Sequence, residues 1–187
     1  MQTLYIHPQN PQNRLIEQLA NLLKQDALAV IPSKIGYVLV ISLGAKTALD
    51  KVKQLCGLDD RHVFTLLCRD LSEVSLYATI SNEQHRTLKA EFNTPSHFIL
   101  PATKTTPKKL LNKDKTIAVT HDDTPIMTAL LNALGEPLVI ITMDKFSPDM
   151  PLDTPYDIEE QLGHQLDVLV DAGEVLSIEV NVVDLTH

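Results

Sequence analysis

Short apolar runs alternate along this chain with stretches of helical period. Residues 4–6 read as a strand, and Asn10-Pro11 as an N-cap followed by proline at the first helical position. Leu15, Ile16, Leu19, Leu22 and Leu23 fall at helical spacing up to Gln25. Residues 27–31 and 36–42 predict two strands, parted by Pro32-Ser33-Lys34-Ile35. A proline there is expected to end ladder pairing and to leave polar groups at the rim of a sheet. Residues 45–56 predict a helix with Ala45, Ala48, Leu49, Val52 and Leu55 on one face. A strand follows at 63–68, then a short helix at 70–77 capped by Asp70 and a more polar helix at 82–92. Strands at 97–100 and 116–120 flank a basic loop. Thr124-Pro125 opens a helix that Gly135 ends, and residues 138–142 form a very apolar strand expected at the centre of a sheet. Thr154-Pro155 starts another helix, and strands at 167–170 and 178–185 close the pattern.

This order predicts an α/β (α+β) fold: one mixed, twisted sheet flanked by helices. At 187 residues with no linker or repeat, one domain spanning 1–187 is expected. Aromatic residues are only 4% of the chain and tryptophan is absent, so the core must be aliphatic and stacking platforms for bases are scarce. No basic start, signal-like segment or membrane-length apolar run occurs, which leads to the expectation of a soluble, cytoplasmic protein without a membrane partner.

The charge of −8 is unevenly placed. Residues 1–85 carry eight basic and eight acidic side chains, whereas 86–115 carry seven basic and two acidic ones. Residues 116–187 carry one basic and fourteen acidic side chains. The middle segment, with Lys104, Lys108, Lys109, Lys113 and Lys115, is a candidate surface for a phosphate backbone; the plainer reading is a solvated face. The acidic C-terminal third is a candidate surface for a basic protein partner or for a homodimer.

The seven histidines show neither HxH nor HxxxH spacing, so no metal site is expected. Cys56 and Cys68 lie in no CxxC motif, and neither a Walker loop nor GxGxxG occurs.

Six segments in order, ALAVIPSKIGYVL, HVFTLLCRDLSEVSLY, TPSHFILPATKTTPKKLL, KTIAVT, TPIMTALLNALGEPLVIIT and NVVDLT, resemble the YrdC/YciO family, most of all its YciO branch. The resemblance implies a domain with a large concave cavity. It also implies synthesis of threonylcarbamoyl-adenylate from threonine, bicarbonate and ATP for tRNA modification, or binding of double-stranded RNA. The family loop Pro-Thr-Asp-Thr/Ser-x-Tyr-Gly is matched by Pro32, Ser33 and Tyr37, but Lys34 stands where an acid is usual and Val38 replaces the glycine. The family's Lys-x-Arg becomes Gln54-Leu55-Cys56, and its later arginine falls at Thr120. Its Ser-x-Asn becomes Thr142-Met143-Asp144, and the Ser/Thr before Val-Val-Asp becomes Asn181.

By resemblance, Ser33, Lys34, Tyr37, Thr142 and Asn181 are the candidate ligand-binding residues. Ser33 reads equally as a turn hydroxyl, Lys34 as a solvated lysine and Tyr37 as core packing. Arg61 and Arg69 flank the 63–68 strand and are expected to line the same cavity, Arg69 having a salt bridge to Asp70 or Glu73 as its plainer role. ATP brings about four negative charges, and charge-assisted contacts contribute roughly 1.5–3 kcal/mol each. With the family cations replaced, weak or absent adenylation is expected. The leading expectation is binding of tRNA, double-stranded RNA or a nucleotide; the alternative is a synthase using ATP and Mg²⁺, and no catalytic residue is assigned.

Overall fold

Leu138–Thr142 takes the central place that its apolar character predicts. It is β7 in a nine-stranded sheet ordered β1-β8-β2-β3-β7-β4-β6-β5-β9 in the computed structural model, which describes residues 1–186. The strands are β1 (Gln2–Tyr5), β2 (Ala29–Ser33), β3 (Gly36–Ser42), β4 (Thr65–Leu67), β5 (Ser96–Pro101), β6 (Thr116–Thr120), β7, β8 (Val168–Asp171) and β9 (Asn181–Asp184). The helices are α1 (Asn13–Lys24), α2 (Thr47–Leu55), α3 (Leu71–Tyr77), α4 (Asn82–Glu91), α5 (Pro125–Leu134) and α6 (Pro155–Leu162). The sheet is mixed: β2/β3, β3/β7, β4/β7 and β5/β6 run antiparallel, and the remaining neighbours run parallel. His187 lies outside the described residues.

The caps are local and legible. Asp70 accepts from the Glu73 N–H at 2.8 Å, Thr154 from Asp157 at 3.1 Å, and Ser81 with Gln84 forms a reciprocal capping box. Gly135, at φ +71°, ends α5 in the left-handed conformation.

Two expectations are corrected. Helix α1 begins at Asn13, not at Pro11, because His7 organises the preceding residues into a turn. Its Nδ1 accepts from the N–H groups of Gln9 and Asn10, and its own N–H donates to Gln12 Oε1. Pro32 does not end β2 either: it stands opposite Tyr37, and Ser33 opposite Gly36, in a hairpin with a two-residue loop. The neighbour on the other side, β8, pairs only with Ala29 and Val30, so it asks for no N–H from Pro32.

Alternation divides the apolar side chains between two cores. Helices α1 and α5 pack on one face of the sheet, over Ala29, Ile31, Val38, Val40, Ile140, Val168 and Val170. Helices α2, α3, α4 and α6 cover the other face, over Val30, Leu39, Leu66, Phe98, Val119 and Val139. The core on the first face takes in Leu138 and Ile140 of β7 and Leu67 of β4 but no residue of β6 or β5, and the cavity forms over this end of the face, from Ile140 across Thr65 and Ala118 to Ile99.

Candidate functional site

The cavity has a volume of about 800 Å³. Its floor follows from strand register. Ile140 of β7 stands opposite Thr65 of β4, Thr65 opposite Ala118 of β6, and Ala118 opposite Ile99 of β5, so the four side chains form one row. His97, two residues before Ile99, shares its face, while Phe98 and Leu100 enter the opposite core. The single methyl of Ala118 leaves room for Thr65 and His97 to meet across β6, with Thr65 Oγ1 and His97 Nδ1 3.3 Å apart. Thr142 closes one side of this floor beside Val38, its partner in register.

Two irregular segments form the walls: residues 143–152, after β7, and residues 177–180, before β9. They are tied together at Asp153. Its Oδ1 accepts from the hydroxyl of Ser177 at 2.6 Å and from the Ser177 N–H at 3.1 Å. The Asp153 carbonyl accepts from Val175 at 2.9 Å. Ile178 donates to the carbonyl of Ile35 at 3.2 Å, which joins this strap to the β2–β3 hairpin.

The charged side chains lining the cavity are Arg61 and Lys145 against Asp144, Asp149 and Glu179, two cations against three carboxylates. The histidines add no charge near neutral pH. Burial depresses His97 to about 4, with the charge of Lys34 acting the same way and Asp144 opposing. Burial also lowers His62, with Lys145 assisting and Asp59 opposing. Cys56, where the family arginine is expected, ends α2 as a protonated thiol, pushed up to about 11 by burial and by the nearby Asp144. Cys56 and Cys68 are free thiols.

Of the residues singled out from the sequence, Tyr37, Arg61 and Thr142 line the cavity. Ser33 serves its turn: its hydroxyl donates to the Gly36 carbonyl at 2.6 Å and accepts from the Ile35 N–H at 3.1 Å. The Lys34 ammonium donates to the Asn93 carbonyl at 3.4 Å, outside the cavity wall, and burial lowers its pKa against the opposing pull of Asp122 and Asp123. Asn181 is exposed, between the cavity residues Val180 and Val182.

Arg69 takes the plainer of its two expected roles, the salt bridge. It is not in the cavity wall but bound to Glu73, with Nε 2.9 Å and a terminal guanidinium nitrogen 2.7 Å from Oε2. Glu73 is only 5% exposed and claims the arginine. Lys104, Lys108, Lys109, Lys113 and Lys115 are all exposed. Their segment meets the cavity rim where Lys113 donates its N–H to the Asp60 carbonyl at 3.1 Å, one residue before Arg61. Thr65, His97 and Lys145 are among the cavity residues that sequence reading missed. The signal for the first two was a polar residue on one alternating face of an otherwise apolar strand.

Among the described residues, no His, Cys, Asp or Glu side chains gather in threes to hold a metal ion. No helix among them is long and apolar enough to cross a membrane.

Three comparisons place this geometry among known proteins. A family model for Sua5, YciO and YrdC domains, described as "Telomere recombination", matches residues 21–187. The YciO protein of Escherichia coli K12 is 38% identical over 188 residues, covering 99% of this chain and 90% of its own. The crystal structure of E. coli YciO superposes with a TM-score of 0.94 at 36% identity, over 100% of this chain and 91% of the other. A threonylcarbamoyl-AMP synthase of Haemophilus influenzae is 27% identical over 159 residues, covering 82% of this chain and 85% of its own.

Proposed function

The chain belongs to the Sua5/YciO/YrdC domain family, and from that premise we propose that it binds RNA, as tRNA or a double-stranded segment, through the lysines between β5 and β6, without activating ATP. The observation that carries this reading is the separation of charge. The five exposed lysines sit outside the cavity, while the cavity itself holds one more carboxylate than cation. A triphosphate needs cations, a metal ion or backbone N–H donors aimed at it. Asp144 instead opposes phosphate where the family's Ser-x-Asn element would help. A phosphate backbone lying on Lys104, Lys108 and Lys109 meets a segment with no carboxylate until Asp114, and beyond Lys113 the track reaches Arg61 at the rim, where Asp59 pairs with it.

Filter binding with tRNA and with duplex RNA at two salt concentrations tests the reading. Each phosphate neutralised adds about 0.7–0.9 to the slope of log affinity against log salt. Affinity that falls steeply with salt, and a slope reduced in Lys108→Glu/Lys109→Glu, support it. Absent or salt-independent binding rejects it.

A second reading draws on the relative named threonylcarbamoyl-AMP synthase. Arg61, Lys145 and Thr142 would then hold the substrates, with Mg²⁺ between Asp144 and the phosphates. Pyrophosphate released from ATP only when threonine and bicarbonate are both present would favour it; no release removes it.

A further inference from the structure

His97 is 8% exposed, yet only one of its ring nitrogens has a protein partner, Nδ1 with Thr65. Among the described residues no buried side-chain nitrogen or oxygen is left without a hydrogen bond, so Nε2 is not sealed inside the protein. It opens into the cavity that His97 lines. A strand interior is a costly place for an imidazole unless something uses its free edge.

The surroundings say what class of ligand can use it. The row Ile140, Thr65, Ala118 and Ile99 makes a continuous strip, apolar but for one hydroxyl, against which a planar ring can lie. The free edge above that strip is uncharged near neutral pH, offering one donor or one acceptor. The nearby cations are held away from this strip: the Lys34 ammonium, whose charge reaches His97, donates to the Asn93 carbonyl outside the wall, and Arg61 and Lys145 are exposed. A flat, neutral group with hydrogen-bonding edges meets both features. A cavity of about 800 Å³ falls within the roughly 300–1,000 Å³ typical of sites for small organic molecules. The hydrogen bond between Lys113 and Asp60 sets the lysine segment against the same rim.

Resting on the RNA reading above, we infer that the cavity receives one unpaired nucleobase of the bound RNA, read at its edge by His97 Nε2 while Thr65 holds the imidazole. The lysines hold the backbone outside, and the base turns inward, as RNA-binding proteins do with bases freed from pairing. The ligand of the cavity is then a base delivered on its strand, not a free nucleotide.

Two RNA hairpins test this on the full chain, identical except that one carries a single bulged nucleotide. The bulged hairpin is expected to bind about tenfold more tightly, a size typical of one base contact. His97→Phe, which keeps a ring in place, and Thr65→Val are expected to bring the bulged hairpin down to the affinity of the paired one. With 2-aminopurine as the bulged base, wild-type protein alone is expected to change its fluorescence as it leaves the stack, a measurement that needs no variant to fold. Equal affinity for the two hairpins with no fluorescence change overturns the inference and leaves RNA binding standing. Failure to bind either hairpin overturns both readings. Tight binding of free adenosine or cytidine, undiminished by saturating RNA, also overturns it.

Discussion

The hydroxyl of Tyr37 donates to the Gly173 carbonyl at 2.6 Å and accepts from the Ala172 N–H at 3.1 Å. One side chain of β3 thus fixes the start of the segment that runs from β8 to the cavity wall. The ring is only 2% exposed, so Tyr37 is both core and cavity lining, and its phenol is committed to backbone. Burial, with Asp171 assisting, raises its pKa against the Ala172 hydrogen bond, and the group stays a donor at neutral pH. Tyr37→Phe leaves both backbone groups short of a partner and is expected to cost about 1–3 kcal/mol in denaturant unfolding. A variant as stable as the wild type would show that water replaces the hydroxyl at no loss.

Gly36 and Asp153 hold the same strap further along. Gly36 has φ +110°, and a Cβ there would lie 3.0 Å from Ser177 Cα, a backbone atom that cannot swing aside. Gly36→Ala therefore combines backbone strain with displacement of the strap, at about 1–3 kcal/mol. Asp153→Ala removes the acceptor of both Ser177 hydrogen bonds without touching the hairpin. Amide hydrogen exchange at Ser177 and Ile178 is expected to quicken in both variants, while the amides of β7 keep their protection. Unchanged exchange in Asp153→Ala would mean that the strap is held from elsewhere.

The two arginines flanking β4 are expected to behave oppositely. Arg69→Ala leaves the buried Glu73 carboxylate with only the Arg69 backbone N–H from that residue, at 2.9 Å. The arginine is partly exposed, so the loss should be about 1–3 kcal/mol, below that of a fully buried pair. Its RNA affinity is expected to be unchanged. Arg61 is paired only with the exposed Asp59, and Arg61→Ala should leave stability alone and weaken RNA binding severalfold. Thermal unfolding and filter binding on the two variants would separate them. Equal RNA loss in both would return Arg69 to the binding surface.

Much of this architecture was written in local pattern. β6, β7, α5 and the Asp70 and Thr154 caps follow from alternation, helical spacing and short cap motifs, which act over a few residues. The six ordered segments pointed to the family and so to a cavity. What local pattern could not show was which polar residues face it. Ser33 and Lys34 lie in the family's loop, yet a hydrogen bond to Gly36 engages one and a carbonyl of Asn93 the other. Arg69 has the same chemistry as Arg61; the sequence offered both the cavity and a salt bridge to Asp70 or Glu73, and the burial of Glu73 decides for the salt bridge. His97 and Thr65 are 32 residues apart and become neighbours only because β6 carries alanine between them.

The pH dependence of stability isolates His97. Its imidazole titrates near 4 in the folded chain against an ordinary value of 6.5. Between those values the unfolded chain takes up a proton that the native state refuses, so the contribution is complete above pH 6.5 and is lost as pH falls toward 4. The interval corresponds to about 3 kcal/mol. His62, also lowered by burial, acts in the same direction, and carboxylates titrate over the lower part of the range. A difference measurement removes them. His97→Gln keeps a neutral hydrogen-bonding side chain with no proton to gain, so its unfolding free energy should fall less steeply between pH 6.5 and 4. The gap to the wild type, whatever its size at pH 7, should narrow by about 3 kcal/mol over that range. Parallel curves for the two proteins would mean that the imidazole takes up its proton at the same pH folded and unfolded, and the depression of His97 by burial would have to be abandoned.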